Sequence, residues 1–259
     1  MDVAVIQMEP RILERDENLE TMARLLGVVA HADIAVLPEL CPCGYAFSSQ
    51  DEVDAMAEDA YTGPTSSLLQ DLARENEQVI ACGYAERKGD AVYNAQLLVG
   101  PGGVMASYRK VHLFNTEKSF FSSGNAFYVS QPYKGIRMGL MVCFDWFFPE
   151  SMRTLMLMGA DIVLHSANLV LPYCPDAMVT RCLENRVYAV TSNRTGYERG
   201  LHFIGTSQIT APDGTIMRRL SREKEEAATA CVDPCLAHDK HVTARNDILQ
   251  DRAVGAYRL

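Results

Sequence analysis

Apolar runs and amphipathic segments alternate along the first half of the chain. Apolar runs predict strands at residues 2–8, 34–37, 79–86, 95–99 and 104–110. Between these runs, apolar residues recur at helical spacing and predict helices over residues 16–29 and 65–75. Strands that alternate with helices in this way predict an α/β protein built in layers.

Hairpin-like strand pairs take over in the second half of the chain. Apolar runs predict strands at residues 136–142, 161–165, 187–192, 203–210 and 227–232. Helices are predicted over 150–158 and 176–186, and the polar stretch 115–125 predicts a loop. The turn signal Ala-Pro-Asp-Gly at 211–214 lies between two of the strands and favours antiparallel pairing, so we expect a mixed sheet.

The chain contains no stretch that resembles a linker, and it has neither an internal repeat nor a low-complexity segment. We therefore expect residues 1–259 to form one domain, a size that can bury a large core. The last stretch, residues 238–259, is polar and has few periodic apolar positions. We expect this C-terminal tail to pack on another surface or to be partly mobile.

Composition narrows the range of functions. The net charge is −9 with a pI of about 5.2, and no basic stripe stands out, which argues against nucleic-acid binding. No apolar run is long enough to span a membrane, and the amino terminus lacks the basic and apolar regions of a signal peptide. We therefore expect a cytoplasmic protein that does not act on a membrane.

The eight cysteines lack the spacing of a metal site or a disulfide framework. Cys41 and Cys43 are separated by one proline instead of the two residues usual in a metal site. No second pair of Cys or His residues has the spacing to supply the remaining metal ligands. Cys231 and Cys235 are similarly isolated. We expect reduced thiols and no bound metal.

One cysteine follows a buried strand and precedes a helix. The strand over 136–142 ends at Cys143, a short aromatic turn follows, and Pro149 suits the first turn of the next helix. A strand, turn and helix in this order resemble the nucleophile elbow of serine hydrolases, which holds its nucleophile at the mouth of a sheet. The pattern predicts that the Cys143 sulfur is exposed, although a cysteine in a strand is more often a packed core residue.

Two other apolar strands also end in chemically active groups, Glu39 and Lys110. If the three strands are neighbours, Glu39, Lys110 and Cys143 meet at one sheet edge, where α/β proteins bind ligands. A thiol needs a base to become a nucleophile, and Glu39 could serve as that base. Lys110 and the backbone N–H of Phe144 could stabilise an oxyanion. A base, a nucleophile and oxyanion donors in one place predict acyl transfer.

Other interpretations of these residues remain open at this point. A lone glutamate after proline is usually a loop carboxylate, and a lone lysine at a strand end is usually a solvated charge. A Cys–His mechanism is the main chemical alternative, since His112 and His165 lie near the same segments. Neither histidine lies in a recognisable protease signature, so this alternative is less favoured.

Three segments carry a resemblance to the nitrilase, or carbon–nitrogen hydrolase, superfamily. They are PEL at 38–40, YRKVHLF at 108–114 and CFDWFFPE at 143–150. Agreement continues at Glu117 with the FFSSG that follows, at RCLENRVYAVTSNRTG over 181–196 and at FIGTSQITAPDGTI over 203–216. Within that superfamily the chain is most similar to the small archaeal-type nitrilase-like amidohydrolases.

The resemblance implies a fold and a set of roles. The fold would be a four-layer α-β-β-α sandwich that pairs into dimers or larger homo-oligomers, with the tail from residue 238 at a subunit interface. Cys143 would be the nucleophile that forms a thioester, and Glu39 the general base and acid. Lys110 would stabilise the tetrahedral intermediate, and Glu117 would orient Lys110 and the substrate nitrogen. Neither a metal nor an organic cofactor is implied.

The residues after Cys143 bear on the substrate. Relatives that bind carboxylates often have an arginine in this turn, whereas this chain has Trp146 and two phenylalanines, so a carboxylate clamp is disfavoured there. Arg194 could still serve as one. Four residues suggest an aromatic-walled pocket for a neutral or cationic group, although any of them could belong to the core: Tyr45, Phe114, Trp146 and Tyr173. Asn168 is a further candidate for hydrogen bonding to the substrate.

These expectations favour an amidase that releases ammonia from a small carboxamide through Cys143. A nitrilase and an N-carbamoyl amine hydrolase of the carbamoylputrescine type would use the same residues, and the sequence does not separate the three. An alternative from another functional class is a protein with the same fold that binds a partner or ligand without catalysing a reaction. The presence of Glu39, Lys110, Glu117 and Cys143 together argues against it.

Overall fold

A computed structural model describes residues 1–258. The helices are α1 (Arg15–Val28), α2 (Gln50–Met56), α3 (Pro64–Glu75), α4 (Glu117–Phe120), α5 (Pro149–Leu157), α6 (Cys174–Asn185) and α7 (Pro234–His238). Short 3-10 helices cover Cys143–Phe147 and Val254–Ala256. The strands are β1 (Asp2–Gln7), β2 (Ile34–Val36), β3 (Val79–Lys88), β4 (Ala91–Gly100), β5 (Gly103–Arg109), β6 (Tyr128–Val129), β7 (Met138–Val142), β8 (Ile162–Ala167), β9 (Tyr188–Asn193), β10 (Thr195–Glu198), β11 (Leu201–Ile204), β12 (Gln208–Thr210), β13 (Ile216–Arg219), β14 (Glu226–Cys231), β15 (His241–Thr243) and β16 (Asn246–Asp247).

Most strands belong to two six-stranded mixed sheets. The first has the order β14-β1-β2-β3-β4-β5, and the second has the order β13-β12-β9-β8-β7-β6. In each sheet the three central strands are parallel, β1-β2-β3 in one and β7-β8-β9 in the other, and antiparallel strands complete the edges. Parallel central strands align their carboxyl ends, which is where ligand sites form in such sheets.

The sheets pack face to face, and helices cover both outer faces. Along β1, Val3 and Val5 point into the core between the sheets, while Ala4 and Ile6 pack under α1 and α3. This alternation follows from the two-residue period of a strand that is buried on both faces. Helices α5 and α6 cover the second sheet. The predicted α/β fold with four layers, α-β-β-α, is therefore confirmed.

Buried hydroxyl groups connect the two sheets near the functional edge. Ser166 on β8 accepts a hydrogen bond from Gln96 Nε2 on β4 at 2.8 Å and donates one to the Leu37 carbonyl at 2.7 Å. Ser192 on β9 donates to the Ile6 carbonyl at 2.5 Å. Each of these bonds satisfies a buried polar group and fixes one sheet against the other.

The prediction of a single strand over 203–210 is wrong. Gly205 and Thr206 have φ of +56° and +57°, so the chain leaves the extended conformation between β11 and β12. As a result β11 pairs with β10 in a separate hairpin, while β12 joins the second sheet beside β9. The stretch predicted as a loop over 115–125 contains the short helix α4, and α2 was not predicted.

The C-terminal tail forms a small hairpin, β15-β16, whose strands are largely exposed. Lys240 attaches it to the body, because its ammonium donates to the carbonyls of Asn185 at 3.3 Å and Arg186 at 2.7 Å at the end of α6. A cation at this helix end also complements the helix dipole. Within residues 1–258, none of the helices combines the length and apolar character that crossing a bilayer requires.

Candidate active site

A buried ion cluster lies where β2, β5 and the α4 segment meet. Lys110, directly after β5, donates from Nζ to Glu39 Oε1 at 2.7 Å and to Glu117 Oε1 at 2.8 Å. All three side chains are almost completely inaccessible to solvent. Cys143 is close enough that the charges of Glu39, Lys110 and Glu117 act on its thiol. The structure therefore brings together the four residues that the sequence singled out.

Glu39 is held against β3 by a contact that only glycine allows. A Cβ on residue 83 would lie 2.3 Å from the Cα of Glu39, so the chain after β2 can approach β3 only because Gly83 has no side chain. Asn94 Nδ2 donates to Glu39 Oε1 at 2.7 Å. The other carboxylate oxygen, Oε2, is buried without a hydrogen-bond partner. That oxygen is available to accept a proton.

Lys110 is fixed by the segment that follows α4. The Gly124 N–H donates to the Lys110 carbonyl at 2.8 Å, and a Cβ on residue 124 would lie 2.0 Å from the Arg109 carbonyl oxygen. The Lys110 N–H donates to the Asn94 carbonyl at 2.8 Å. These contacts explain the glycine at the end of the FFSSG segment, because any side chain there would displace the lysine backbone.

Cys143 occupies a strained turn between β7 and α5. Its φ is +37°, a conformation that a residue with a side chain rarely adopts, and a 3-10 turn begins at the same residue. The Phe144 N–H is the second of this turn, so it has no hydrogen-bond partner within the helix. The predicted elbow geometry is therefore present, with a backbone donor beside the thiol.

Asp145 connects the cysteine turn to the lysine segment. Its buried carboxylate accepts hydrogen bonds from the Val142 N–H at 3.0 Å and from the Tyr108 hydroxyl at 2.8 Å. It also accepts from the His112 N–H at 3.1 Å and from His112 Nδ1 at 2.8 Å. Four bonds to one buried carboxylate compensate its desolvation and hold the two functional segments in register. The sequence offered no signal for this role.

The prediction of an exposed sulfur is wrong, since Cys143 is only 6% exposed. Burial, together with the Glu39 carboxylate, raises the pKa of the Cys143 thiol, and Lys110 offsets this only in part. Burial likewise raises the pKa of the Glu39 carboxyl despite the nearby ammonium. Burial opposes the charge of Lys110, but Glu117 and Glu39 outweigh it and raise the pKa of that lysine. At rest the thiol is therefore neutral and needs a base.

Neither histidine of the alternative mechanism is positioned as a base for Cys143. His165 Nε2 donates to the Cys143 carbonyl at 3.0 Å, and its Nδ1 accepts from the Thr191 hydroxyl at 3.2 Å. Burial lowers the pKa of His165 to about 4, so the ring is neutral. His112 is bound to Asp145. Across residues 1–258, neither ring forms a hydrogen bond to the sulfur.

A small cavity of about 50 Å³ opens beside the thiol. It is lined by Phe114, Cys143, Phe144, Trp146, Phe147, Asn168, Leu169, Val170 and Leu171. The four sequence-predicted pocket residues among these are Phe114, Phe144, Trp146 and Asn168. The run 169–171 was missed, although its position directly after a central strand, β8, was a usable signal.

The remaining predicted pocket residues lie elsewhere. Tyr45 is outside the cavity wall, but its hydroxyl donates to Glu117 Oε1 at 2.7 Å and so belongs to the ion cluster. Tyr173 precedes α6 with 61% of its surface exposed, and the structure does not bring it into the cavity.

Arg194 is not free to bind a carboxylate, contrary to the possibility left open by the sequence. It is fully buried and donates to Glu198 at 2.6 Å and to the Pro10 carbonyl at 2.9 Å. Its guanidinium also lies over the ring of Phe203, 4.0 Å from the centroid.

A larger, open cleft of about 940 Å³ lies between α1 and the β10-β11 hairpin. Its wall carries several charged side chains, including Glu9, Arg11, Glu17 and Arg199, and lacks a thiol. Arg11 is paired with Glu17 and Arg199 with Glu52. Size alone therefore does not identify the site, and the thiol with its adjoining ion cluster makes the small cavity the candidate.

Comparisons with known proteins agree with this geometry. The carbon-nitrogen hydrolase family matches residues 2–238, and the chain belongs to that family. A nitrilase from Pyrococcus abyssi is 44% identical over 252 residues, which cover 96% of each chain. An (R)-stereoselective amidase from a Pseudomonas species is 31% identical over 229 residues, with 86% of this chain and 82% of the amidase covered.

A solved structure adds a chemical observation on a similar protein. A mutant of an amidase from Nesterenkonia sp. AN1 superposes with a TM-score of 0.80 and 26% identity, covering 98% of this chain and 97% of that one. Acrylamide has added to the active-site cysteine of that amidase by Michael addition. The fold and the family therefore define a carbon–nitrogen hydrolase of the nitrilase superfamily, and the amidase supports amide hydrolysis through a cysteine.

Proposed function

We propose that this protein is an amidase that hydrolyses a small carboxamide to an acid and ammonia, with Cys143 as nucleophile. The observation that carries the proposal is the bridge from Lys110 Nζ to both Glu39 and Glu117 beside a cysteine in an elbow turn. Lys110 bonds only to Oε1 of Glu39, so Oε2 has no hydrogen-bond partner. That oxygen can therefore act as the base for the neutral thiol. A base and a nucleophile within one desolvated site are what acyl transfer requires.

The first half-reaction forms a thioester. Cys143 Sγ attacks the amide carbon while its proton passes to Glu39. Lys110 Nζ and the Phe144 N–H stabilise the oxyanion of the tetrahedral intermediate. The C–N bond then breaks, and Glu39 returns the proton to the nitrogen, which leaves as ammonia.

The second half-reaction hydrolyses the thioester. Glu39 removes a proton from a water molecule that attacks the thioester carbon, and the same two donors stabilise the second oxyanion. The C–S bond breaks, the thiol regains a proton and the acid departs. Glu117 acts as a positioning residue, because it holds Lys110 and accepts the Tyr45 hydroxyl at 2.7 Å.

A nitrile is the second candidate substrate, and the nitrilase from Pyrococcus abyssi at 44% identity favours it. A nitrile carbon attacked by the same thiol reaches the same thioester after one water is added and ammonia leaves. The two reactions therefore require the same residues, and only the choice of substrate separates them.

Ammonia release from a panel of amides, nitriles and N-carbamoyl amines tests the proposal. We expect release from amides by the wild type and no detectable release by Cys143→Ala. The matched control is Cys174→Ala, because Cys174 is also a fully buried thiol but is not among the residues that line the cavity. Release by Cys143→Ala equal to that of the wild type would refute the proposed nucleophile.

We further propose that the protein is a homo-oligomer, a dimer or larger, with α5, α6 and the C-terminal tail at the interface. Support comes from large apolar side chains exposed on these elements, namely Leu157 on α5, Leu183 on α6, and Val254 and Tyr257 in the tail. Removing residues after Asp251 should then shift the size-exclusion profile or lower the melting temperature. An unchanged profile and melting temperature would remove the tail from the interface.

The cytoplasm remains our proposal for the compartment. Its support is the state of the cysteines, all eight of which are free thiols. Cys41 and Cys82 lie with their sulfur atoms 3.4 Å apart as thiols, which suits a reducing environment. Alkylating free thiols at the moment of cell lysis and counting the labelled cysteines by mass spectrometry tests this proposal, and a disulfide-bonded pair would contradict it.

A further inference from the structure

We propose that the cavity beside Cys143 selects a small, uncharged acyl group that carries one neutral hydrogen-bonding group, and that Asn168 is the specificity-determining residue. This inference rests on the proposed amidase function and names the acyl half of its substrate. It is carried by three observations on the cavity: its apolar wall, the absence of a spare positive charge, and an amide side chain without partners.

The wall of the cavity is apolar almost throughout. Apart from the nucleophile Cys143, its lining residues are four aromatic side chains, three aliphatic side chains and Asn168. An acyl group in this space therefore contacts carbon on most sides, and Asn168 supplies the one lining side chain besides Cys143 that can both donate and accept a hydrogen bond.

The cavity is also poor in positive charge. Lys110, the cation of the adjoining cluster, is already shared between two carboxyl groups, those of Glu39 and Glu117. Arg181, which contacts the cysteine turn, donates to the Trp146 carbonyl at 3.4 Å and to Glu184 at 3.1 Å. An acyl group with its own carboxylate would be desolvated here without a partner, which is strongly unfavourable.

Asn168 differs from the other buried amide side chains. It is 3% exposed, and neither its Oδ1 nor its Nδ2 has a hydrogen-bond partner. Within residues 1–258, the other amides with an unpaired buried atom, such as Asn94 and Gln96, lack a partner at the oxygen only. Asn193, the last residue of the neighbouring strand β9, is engaged at both atoms, since its side chain accepts from the Leu169 N–H and donates to the Gly205 carbonyl.

A buried amide without hydrogen-bond partners carries a desolvation penalty. A substrate group that forms the missing hydrogen bonds removes that penalty and so binds more tightly. A hydroxyl group suits both atoms of the side chain, because it can donate to Oδ1 and accept from Nδ2 at once. A buried polar group of this kind discriminates strongly against an analogue that lacks the matching group. The small size of the cavity, about 50 Å³, favours a small acyl group.

Two amides of nearly equal shape test the proposal. Lactamide and isobutyramide differ by a hydroxyl in place of a methyl, and we expect kcat/KM of the wild type to be at least tenfold higher for lactamide. Malonamate, which places a carboxylate in the cavity, should be hydrolysed at least a hundredfold less efficiently than lactamide.

The variant Asn168→Leu removes both polar atoms of the side chain while it keeps the branching at Cγ. We expect the lactamide to isobutyramide ratio to fall to within about twofold of one. The matched control is Leu171→Ala, which alters the same wall but keeps Asn168, and which should retain a ratio of at least fivefold. A ratio that persists in Asn168→Leu would overturn the assignment.

A second measurement does not depend on the folding of the Asn168 variant. Calorimetric titration of Cys143→Ala with the two amides should give binding of lactamide at least tenfold tighter than that of isobutyramide. Equal affinities, or tighter binding of malonamate, would overturn the inference.

The two levels of the proposal fail in different ways. If lactamide and isobutyramide are hydrolysed equally well and Cys143→Ala is inactive, the amidase function stands and the acyl class is wrong. If the wild type releases ammonia from none of the amides, the amidase function fails and the acyl class fails with it.

Discussion

Two buried ion clusters flank the loop that carries Tyr45, and they differ in how completely their polar atoms are paired. The Tyr45 hydroxyl donates to Glu117 in the cluster around Lys110. The Tyr45 N–H donates to Glu198 at 2.8 Å in the cluster around Arg194. The same residue therefore joins both clusters, which allows their roles to be compared within one environment.

The cluster around Arg194 is fully satisfied. Its guanidinium donates to Glu198, to the Pro10 carbonyl and to the Thr195 carbonyl, and it packs on Phe203. The carboxylate of Glu198 accepts two further backbone N–H groups, those of Tyr45 and Ala46. A buried pair in which each guanidinium nitrogen and each carboxylate oxygen has a partner holds loops together and leaves no unpartnered atom for a substrate.

The cluster around Lys110 is incomplete in a specific way. Glu39 Oε2 has no partner, Cys143 is a neutral buried thiol, and the neighbouring Asn168 amide is unpaired. Unpaired buried polar groups are rare in folded proteins, so the unpaired atoms of Glu39 and Asn168 around one thiol need an explanation. The comparison teaches that, between two similarly buried ion clusters, the unsatisfied one is the candidate for chemistry.

The largest expected effect comes from Glu39→Gln. We expect kcat/KM for amide hydrolysis to fall by at least a thousandfold, because the neutral amide cannot take the thiol proton. The side chain keeps its shape and an oxygen for Lys110, so the melting temperature should stay close to that of the wild type. Steady-state ammonia release and a thermal melt measure the two effects. Wild-type turnover in this variant would exclude Glu39 as the base.

Glu198→Gln sharpens the comparison from the other side. Removing the carboxylate leaves the Arg194 guanidinium buried without its counter-ion, so we expect the free energy of unfolding to fall by about 3 kcal/mol. Chemical denaturation measures this loss. The kcat of the folded variant should fall by less than tenfold, since Glu198 reaches the site only through Tyr45. A stability equal to that of the wild type would contradict the scaffold role.

Gly83→Ala tests whether backbone packing positions the base. A Cβ at this position would lie 2.3 Å from the Glu39 Cα, so Glu39 must move, and we expect about a hundredfold loss of kcat. Gly102→Ala is the matched control, because a Cβ there meets no atom within 4 Å. The kcat of both variants should be compared with their melting temperatures. Full activity in Gly83→Ala would show that Glu39 tolerates displacement.

The smallest expected effect concerns His165 and pH. Burial lowers the pKa of His165 from 6.5 to about 4 in the folded protein, so between these values the unfolded chain binds a proton that the folded chain does not. Stability present above pH 6.5 is therefore lost as the pH falls, by about 2 kcal/mol between pH 7 and pH 5. Denaturation of the wild type and of His165→Gln at both pH values measures this term. An equal loss in both proteins would assign the pH dependence to other groups.

The parts of the site that the sequence predicted correctly are local. The strand that ends at Cys143, the proline at the start of α5 and the charged residues after β2 and β5 are all visible within short segments. Their convergence follows from the parallel order of neighbouring strands. The layered α/β fold was predictable for the same reason, because alternating strands and helices allow few other arrangements.

The parts that the sequence did not predict depend on contacts between distant segments. The thiol is only 6% exposed and shares its cavity with Phe114 and residues 168–171, a meeting of distant segments that no local pattern reveals. Arg194 pairs with Glu198 on the β10-β11 hairpin. The sequence pattern does not predict this hairpin, because the apolar run over residues 203–210 indicates a single strand. Tyr173 looked like a pocket aromatic, yet it lies exposed before α6. In each case burial and pairing, more than residue type, decide the role.

The measurement that tests the central claim most directly is the trapping of the acyl-enzyme. Wild-type protein should be mixed with an amide that it hydrolyses and quenched in acid during turnover. The modified residue is then located by peptide mapping with mass spectrometry. We predict an added acyl group on the peptide that contains Cys143, absent from the Cys174 peptide and absent after the same treatment of Cys143→Ala. An acyl group on a different residue, or sustained ammonia release by Cys143→Ala, would contradict the assignment of Cys143 as the nucleophile.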